Sequence, residues 1–458
     1  LPFAAKQMEA TRLALSEWSK VANITFIEVE EVAERVGELR FAFTDAPEIQ
    51  EYWGWAMSPS ANDPSAGDVW VNSDFKTDGS WDRGSSYNFS GLIHEIGHSL
   101  GLNHPHEGNY RLTADQDFTN YSIMSYNEPE NAYYEGLSGE DWDYVISYSP
   151  MVYDIAAIQY LYGPSSTGLG DTIYDIDFSK PFAQTIWDAG GYDTLDLSGS
   201  DYECIINLEP GAYSTIPCYN WSMDDNLGIA YGTIIENANG GLKNDVIWGN
   251  SADNFLNGGA GNDTINGGLG NDVFDWDTLS RLGADTFYGN LGDDIYVVDN
   301  VLDLVVEYSN EGSDLVWIDI VGIQEYLLPN HIEGVGVLLT SDLSVIGNDL
   351  NNEIKGNSGS ENLDGAAGDD FIFGGDGNDY ITGGAGNDFL SGAFGFDTFV
   401  FESEFGQDII LDFDENEDII TFNGVNIDEV TGLSEEISEE GYRVVSFLDG
   451  SAITFQAL

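Results

Sequence analysis

The chain has 458 residues with 81 acidic and 13 basic side chains, a formal charge of −68, or roughly one uncompensated negative charge per seven residues. Such a polyanion repels phosphate backbones and anionic lipid surfaces, which excludes nucleic acid as a partner and points to cations instead. Its 42% hydrophobic and 13% aromatic residues are too many for a disordered acidic tail, so the chain should fold, and no apolar run reaches the roughly 18 residues of a membrane-spanning helix.

Leu1–Ala10 lacks the basic start and long apolar centre of a signal peptide, and without an initiator Met the chain is expected to be a processed one. Met8, Leu13, Leu15, Trp18 and Val21 recur at helical spacing and predict a first helix over Gln7–Val21. Ile24–Val29, Leu39–Thr44, Trp53–Met57 and Asp68–Asn72 alternate as strands do, so a mixed sheet should follow. A second helix is expected from Ser86 to Gly101 and a third from Met151 to Tyr162, closed by Gly163-Pro164.

The second helix carries the chemistry. Of five histidines, four fall within thirteen residues, and His94-Glu95-Ile96-Gly97-His98-Ser99-Leu100-Gly101-Leu102-Asn103-His104 reads H-E-x-x-H-x-x-G-x-x-H. A spacing of four puts His94 and His98 on one helical face, where both imidazoles reach one ion. Gly101 can adopt the left-handed conformation that turns the chain back and carries His104 to a third position. Three neutral imidazoles with an open fourth position describe a catalytic zinc site, with Glu95 beside it as general base for adding water to a peptide carbonyl. A bare H-E-x-x-H arises by chance on ordinary helices, and the third histidine and the glycine remove most of that ambiguity. His106, after Pro105, reads as a surface histidine.

Beyond Pro164 the chain turns to short β segments punctuated by Gly, Asn and Asp. Cys204 and Cys218 lie there; they are either two free thiols or a bridge closing a 15-residue loop, worth about 3 kcal/mol. From Gly240 the chain reads in nines as GGLKNDVIW, GNSADNFLN, GGAGNDTIN and GGLGNDVFD; a partial copy, GNLGDDIYV, stands at Gly289–Val297, and six more run from Gly347 to Val400. The pattern is G-G-x-G-x-D-x-U-x, that of a calcium-binding parallel β-roll. Glycines (Gly240, Gly258, Gly261, Gly267, Gly270, Gly374, Gly377, Gly383, Gly386) allow the tight turn, and sixth-position carboxylates (Asp245, Asp263, Asp272, Asp294, Asp370, Asp379, Asp388, Asp397) complete an oxygen cage. Each unit is half a coil, so residues 18 apart should stack: Asp245 with Asp263, Asn254 with Asp272, Asn352 with Asp370, Glu361 with Asp379, Asp370 with Asp388, and Asp379 with Asp397. Without calcium these carboxylates repel, so folding of the roll should be calcium-gated.

Tyr121-Ser122-Ile123-Met124-Ser125-Tyr126 follows the zinc motif by some twenty residues. Together they resemble the metzincin metallopeptidases, whose zinc motif precedes a methionine turn. The chain looks specifically like the serralysin family, matching also at Val21–Phe26, Ala66–Trp70, Asp154–Gln159, Leu161–Gly163 and Trp187–Gly191. The resemblance implies an α+β catalytic domain, with a mixed sheet and helices, followed by an all-β domain containing the calcium-binding roll. It also implies His94, His98 and His104 as zinc ligands, Glu95 as catalytic base and Met124 as the floor of the site. Tyr126 would ligate the resting zinc and then hydrogen-bond the tetrahedral intermediate. One zinc and several calcium ions are the cofactors implied. The expected domains are 1–163 catalytic, 164–239 linking β, 240–298 first roll block, 299–346 spacer, 347–400 second roll block and 401–458 cap and secretion region, the last with strands at Ile409–Phe413, Asp418–Phe422 and Arg443–Phe447.

The leading expectation is a secreted, extracellular, monomeric zinc endopeptidase exported by a one-step type I route. Its partners are protein or peptide substrates, with room for a proteinaceous inhibitor. The alternative is a calcium-dependent adhesion or surface module with an inactive protease fold, against which the intact motif argues. A membrane-acting toxin needs an insertion segment, and none is present.

Overall fold

The computed structural model describes all residues except 31–36, 61–62, 78–79, 84–85, 110, 136–141, 220, 277–282, 341, 424–433, 438–442, 448–449 and 456–458. The chain divides into two units, Leu1–Val246 and Ile247–Leu458.

In the first unit, helix α1 (Ala5–Val21) buries Gln7, Ala10, Thr11, Ala14, Glu17, Trp18 and Val21, a stripe at steps of three and four. Three strands form the expected mixed sheet: β1 (Phe41–Thr44) runs parallel to β3 (Val69–Asn72), and β2 (Gly54–Ala56) pairs antiparallel on the other side of β3, at the edge. Val69 and Val71 point inward and are fully buried while Trp70 points out, the period-two alternation of a half-covered strand. Helix α2 (Tyr87–Ser99) opens on Ser86, whose hydroxyl accepts from the Phe89 N–H at 3.2 Å, and buries Phe89, Leu92, Ile93 and Ile96. Trp18 ties α1 to α2 by donating its indole N–H to Ile93 O at 3.2 Å.

Helix α3 (Val152–Tyr162) ends at Gly163, φ +83°, a conformation costly for a residue with a side chain. Gln159 there donates to Val21 O at 2.8 Å, joining the ends of α1 and α3. Ile24–Val29 is not a strand. Ile27 is 79% exposed, and Arg12 grips Glu28 through two hydrogen bonds of 2.9 and 3.0 Å, so the segment docks beside α1 as irregular chain. After Gly163 the first unit continues as short strands, with Ile173–Asp175, Thr194–Asp196 and Asn237–Asn239 in one parallel ladder. Cys204 and Cys218 are buried free thiols, pushed up to about 12 by burial.

The second unit is a two-faced parallel stack. On one face Phe255–Asn257, Val273–Phe274, Ile295–Val298, Leu315–Ile318, Gly334–Val337, Glu353–Lys355, Phe371–Asp376, Phe389–Phe394, Gln407–Ile410 and Ala452–Phe455 pair in parallel, each with the next. Arg443–Ser446 and Ser434–Ile437 finish it antiparallel. The ladder runs unbroken through 299–346, the stretch expected as a spacer. The opposite face has two runs: Thr264–Leu269, Thr286–Leu291 and Leu304–Val306, then Glu325–Leu327 through Ile419–Phe422. Apolar residues of successive strands, such as Ile354, Ile372 and Leu390, stack at full burial, each contributing roughly 1.5–3 kcal/mol. Among the described residues, no helix is long and apolar enough to cross a membrane.

Candidate active site

Helix α2 delivers the first two histidines. His94 Nδ1 lies 2.8 Å from Ile123 O and His98 Nδ1 lies 2.8 Å from Leu102 O. A carbonyl only accepts, so each Nδ1 carries the proton and each Nε2 keeps a lone pair. Gly101, φ +106°, turns the chain after α2 and brings His104 back, its Nδ1 3.1 Å from Glu107 Oε1. Candidate ligand atoms of the three rings fall within 4.8 Å of one another. His98 Nε2 and His104 Nε2 are 3.0 Å apart, near the roughly 3.3 Å separating two nitrogens bound tetrahedrally to one zinc at about 2.0 Å. His94 Nε2 is buried without a hydrogen-bond partner, an orphan that a cation would satisfy. Burial, reinforced by His98, pushes His94 down to about 3, and burial lowers His98 too, so both are neutral as a metal requires. The donor set therefore fits zinc.

Glu95 lies beside this cluster, 7% exposed, and burial lifts its carboxyl to about 8 although the Ala56 backbone N–H donates to it. Strand β2 passes so close that a Cβ at Gly54 would sit 3.3 Å from Glu95 Oε1. Below α2, Met124 is buried, and a Cβ at Gly97 would meet its Sδ at 2.5 Å and Trp18 Cζ2 at 3.1 Å. The turn bearing Met124 is held by Asp154 of α3. This buried carboxylate accepts from Ser122 Oγ at 2.6 Å, Ile123 N at 2.6 Å and Met151 N at 2.8 Å. Ile123 is thus fixed on both sides, its N–H by Asp154 and its carbonyl by His94. Asp154 was legible only as part of a family match, because nothing in its spacing from Ser122 predicts the contact.

Tyr126 stacks on His94 with ring centroids 5.3 Å apart, stays 63% exposed, and has its hydroxyl pushed up to about 12 by partial burial and Glu95. His106 is half-exposed and stacks on His104, with Nδ1 3.4 Å from Asp117 Oδ2.

The carboxylate stack is the second site. In the second unit Asn254, Asn352, Glu361, Asp370 and Asp379 each donate a backbone N–H to Oδ1 of the residue 18 further on, at 2.7–2.9 Å. These are five of the expected pairs. Asp245 belongs to the first unit, where its carboxylate accepts from Cys204 N and Gly241 N, both at 2.6 Å; Gly240 is buried beside it in sequence. Asp263 donates its N–H to Asp285 at 2.7 Å and Asp397 donates its own to Asp418 at 3.1 Å. While Oδ1 is taken, Oδ2 of Asp272, Asp294, Asp370, Asp379, Asp388 and Asp408 is buried without a partner. First-position glycines crowd these carboxylates: a Cβ at Gly258, Gly267, Gly374 or Gly383 would run into Asp263, Asp272, Asp379 or Asp388. Gly261, Gly270, Gly377 and Gly386 all have positive φ. Asp285, Asp314 and Asp408 also join the ladder and were missed, because insertions stretch the step to 22 or 20 residues. The D-x-U signature at Asp285-Thr286-Phe287, Asp314-Leu315-Val316 and Asp408-Ile409-Ile410 could have found them.

Comparison with known proteins agrees with this geometry. Residues 3–114 match the matrixin peptidases, 92–170 a Met-zincin family, 153–328 the peptidase M10 serralysin C-terminal family, and three overlapping stretches over 346–399 the RTX calcium-binding nonapeptide repeat. Serralysin B of Dickeya chrysanthemi is 36% identical over 54% of this chain and 53% of its own. Serralysin C of Dickeya chrysanthemi is 38% identical over 54% of this chain and 53% of its own, and a serralysin of Photorhabdus luminescens 34% identical over 56% and 54%. The chain thus spans about half the length of the curated relatives it matches. Among solved structures, the extracellular lipase LipA from Serratia marcescens aligns with 48% of this chain and 37% of its own at 19% identity, but a TM-score of 0.20 gives that likeness no weight. With the metzincin residues at one end and the nonapeptide stack at the other, the chain is a serralysin-type metzincin with RTX repeats.

Proposed function

We propose that the chain is a secreted zinc-dependent endopeptidase that hydrolyses peptide bonds of proteins, with a calcium-stabilised roll. The observation that carries the reading is the convergence of His94, His98 and His104, with His94 Nε2 buried and unpartnered, beside a carboxyl raised by burial. His94, His98 and His104 would hold the ion, the first two rings fixed by Ile123 O and Leu102 O and the third lying beside Glu107. Zinc, when bound, supplies Lewis acidity and brings the pKa of water toward about 7. Glu95 takes a proton from the attacking water onto its carboxylate and delivers it to the leaving amine nitrogen, a transfer suited to a group whose affinity for protons lies near neutrality. Tyr126, kept as a neutral phenol, donates a hydrogen bond to the carbonyl oxygen as charge builds on it. Its exposed ring leaves it free to move at the rim, where it would also be a ligand to the resting zinc.

Substrate lies extended along β2, whose outer edge pairs with no strand among the described residues, so backbone hydrogen bonding positions the scissile carbonyl next to Glu95. Several calcium ions occupy the stack where unpartnered Oδ2 atoms meet the glycine turns, and they make folding of the roll depend on extracellular calcium. Type I export, a monomeric state and protein substrates complete the proposal. The test is hydrolysis of casein in calcium before and after zinc is stripped. The reading predicts loss on stripping and recovery with zinc; a folded, zinc-loaded chain inert toward a varied protein panel would refute it.

A further inference from the structure

At one step of the roll a carboxylate stands where the repeat places a glycine. Leu304–Val306 is the last strand of the first run on its face, with Val306 opposite Tyr288 and, one strand earlier, Tyr288 opposite Asn266. Glu307 therefore stands in the register position that Gly289 and Gly267 hold on the neighbouring strands. At those positions glycine is needed because the sixth-position carboxylate crowds the turn, Asp272 against Gly267 and Asp294 against Gly289. Glu307 instead sends a carboxylate back into that space: a Cβ on Gly289 would strike the Tyr296 hydroxyl, Asp294 Oδ2 and Glu307 Oε1 together. Asp314 joins from the next coil, its Oδ1 accepting the Asp294 N–H at 2.9 Å.

Carboxylate oxygens of Asp294, Glu307 and Asp314 lie within 4.8 Å of one another, and the residues are 0%, 6% and 2% exposed. Tyr296 donates its hydroxyl hydrogen to Glu307 Oε1. That leaves Glu307 Oε2, which is buried without a partner, as is Asp294 Oδ2. The charged groups acting on the three are acidic too, namely Asp253, Asp293, Glu311 and Glu333. Three buried carboxyls in a wholly negative field must either take up protons or hold a cation.

We propose that Glu307, together with Asp294 and Asp314, binds a calcium-type divalent cation, at a site where a glutamate side chain replaces the glycine turn of the nonapeptide. An all-oxygen, carboxylate-rich donor set selects a hard cation over zinc. The ion staples the stack where one face stops at Leu304–Val306 and restarts at Glu325–Leu327, a gap that the regular repeats do not have to bridge.

The proposal shares its ion with the repeat sites, and Asp294 and Asp314 with their ladder, but Glu307 belongs to this site alone, and the test turns on that residue. Crystals of the full chain grown in calcium and soaked with terbium should give an anomalous peak among the three carboxylates. Peaks at the repeat loops with none here overturn this site and leave the repeat reading standing. In solution, calcium counted per chain after gel filtration should fall by a single ion in Glu307→Gln and stay unchanged in Tyr296→Phe, which removes only the donor to the other oxygen. A folded Glu307→Gln that keeps the full count also overturns the proposal. If that variant does not fold, the anomalous map on the unaltered chain decides.

Discussion

Gly97→Ala is a one-carbon test of whether Met124 is a platform under the metal-binding helix. The helix itself should welcome alanine, by about 1 kcal/mol. The new Cβ, however, would lie 2.5 Å from Met124 Sδ and 3.1 Å from Trp18 Cζ2. Ordinary contact needs about 3.5–4.0 Å, so α2 and the turn must separate by about 1 Å. Both neighbours are buried, Met124 at 1% and Trp18 at 0% exposure, so neither can swing into solvent. Overpacking of this kind costs about 1–3 kcal/mol, leaving a net loss of up to about 2 kcal/mol. Gly97 lies between His94 and His98, so the same shift misplaces the ligands and Glu95, and kcat should fall about 100-fold. The assay is thermal unfolding with zinc and calcium present, alongside peptide hydrolysis, for Gly97→Ala, Met124→Ala and the double variant. Truncating Met124 opens room for the new methyl, so the double variant should be less damaged than the sum of the single ones. An alanine variant that is more stable than the parent by the full helical gain, and fully active, would refute the packing argument.

Tyr126→Phe should lower kcat by about 100-fold, as loss of an oxyanion donor does, while unfolding shifts by less than about 0.5 kcal/mol because the ring is 63% exposed. Asp154 has its pKa raised to about 6 by burial, so the stability it supplies is present below its unfolded value near 3.8 and is lost as pH rises through about 6. Between pH 4 and 7 the parent should therefore lose about 2 kcal/mol relative to Asp154→Asn, read as the difference between the two unfolding-versus-pH curves; parallel curves would contradict it. Calcium chelation should abolish the β signal of the second unit in far-ultraviolet circular dichroism, with recovery on adding calcium back, and a signal indifferent to chelator would argue against ions in the stack. Cys204 and Cys218, both buried and pushed up to about 12, should react with a thiol reagent at pH 8 only after unfolding.

How much of this could be read in advance follows from how local each constraint is. The histidine cluster was legible because four-residue spacing on a helix and one glycine turn bring His94, His98 and His104 together with no help from distant chain. The repeats were legible for a similar reason, since an 18-residue period stacks Asp370 on Asp388 whatever else the fold does. Where insertions lengthen the step, as from Asp263 to Asp285, the period is lost to the eye while the hydrogen bond persists at 2.7 Å. The stretch 299–346 was read as a spacer on that account, although its strands belong to the same ladder. Ile24–Val29 misled in the opposite direction, with strand-like alternation but with Glu28 held by Arg12 outside any sheet. Long-range contacts such as Asp154 to Ile123 or Glu307 to Tyr296 leave no periodic trace at all.

The most direct test of the central claim compares the parent chain with Glu95→Ala, both loaded with zinc in calcium, for metal content and for hydrolysis of a fluorogenic peptide. The account predicts equal zinc in both, because the histidines are untouched, and hydrolysis in the parent only. Equal turnover by Glu95→Ala would contradict Glu95 as the proton carrier, and a parent that holds zinc yet cleaves no peptide would contradict the peptidase reading itself.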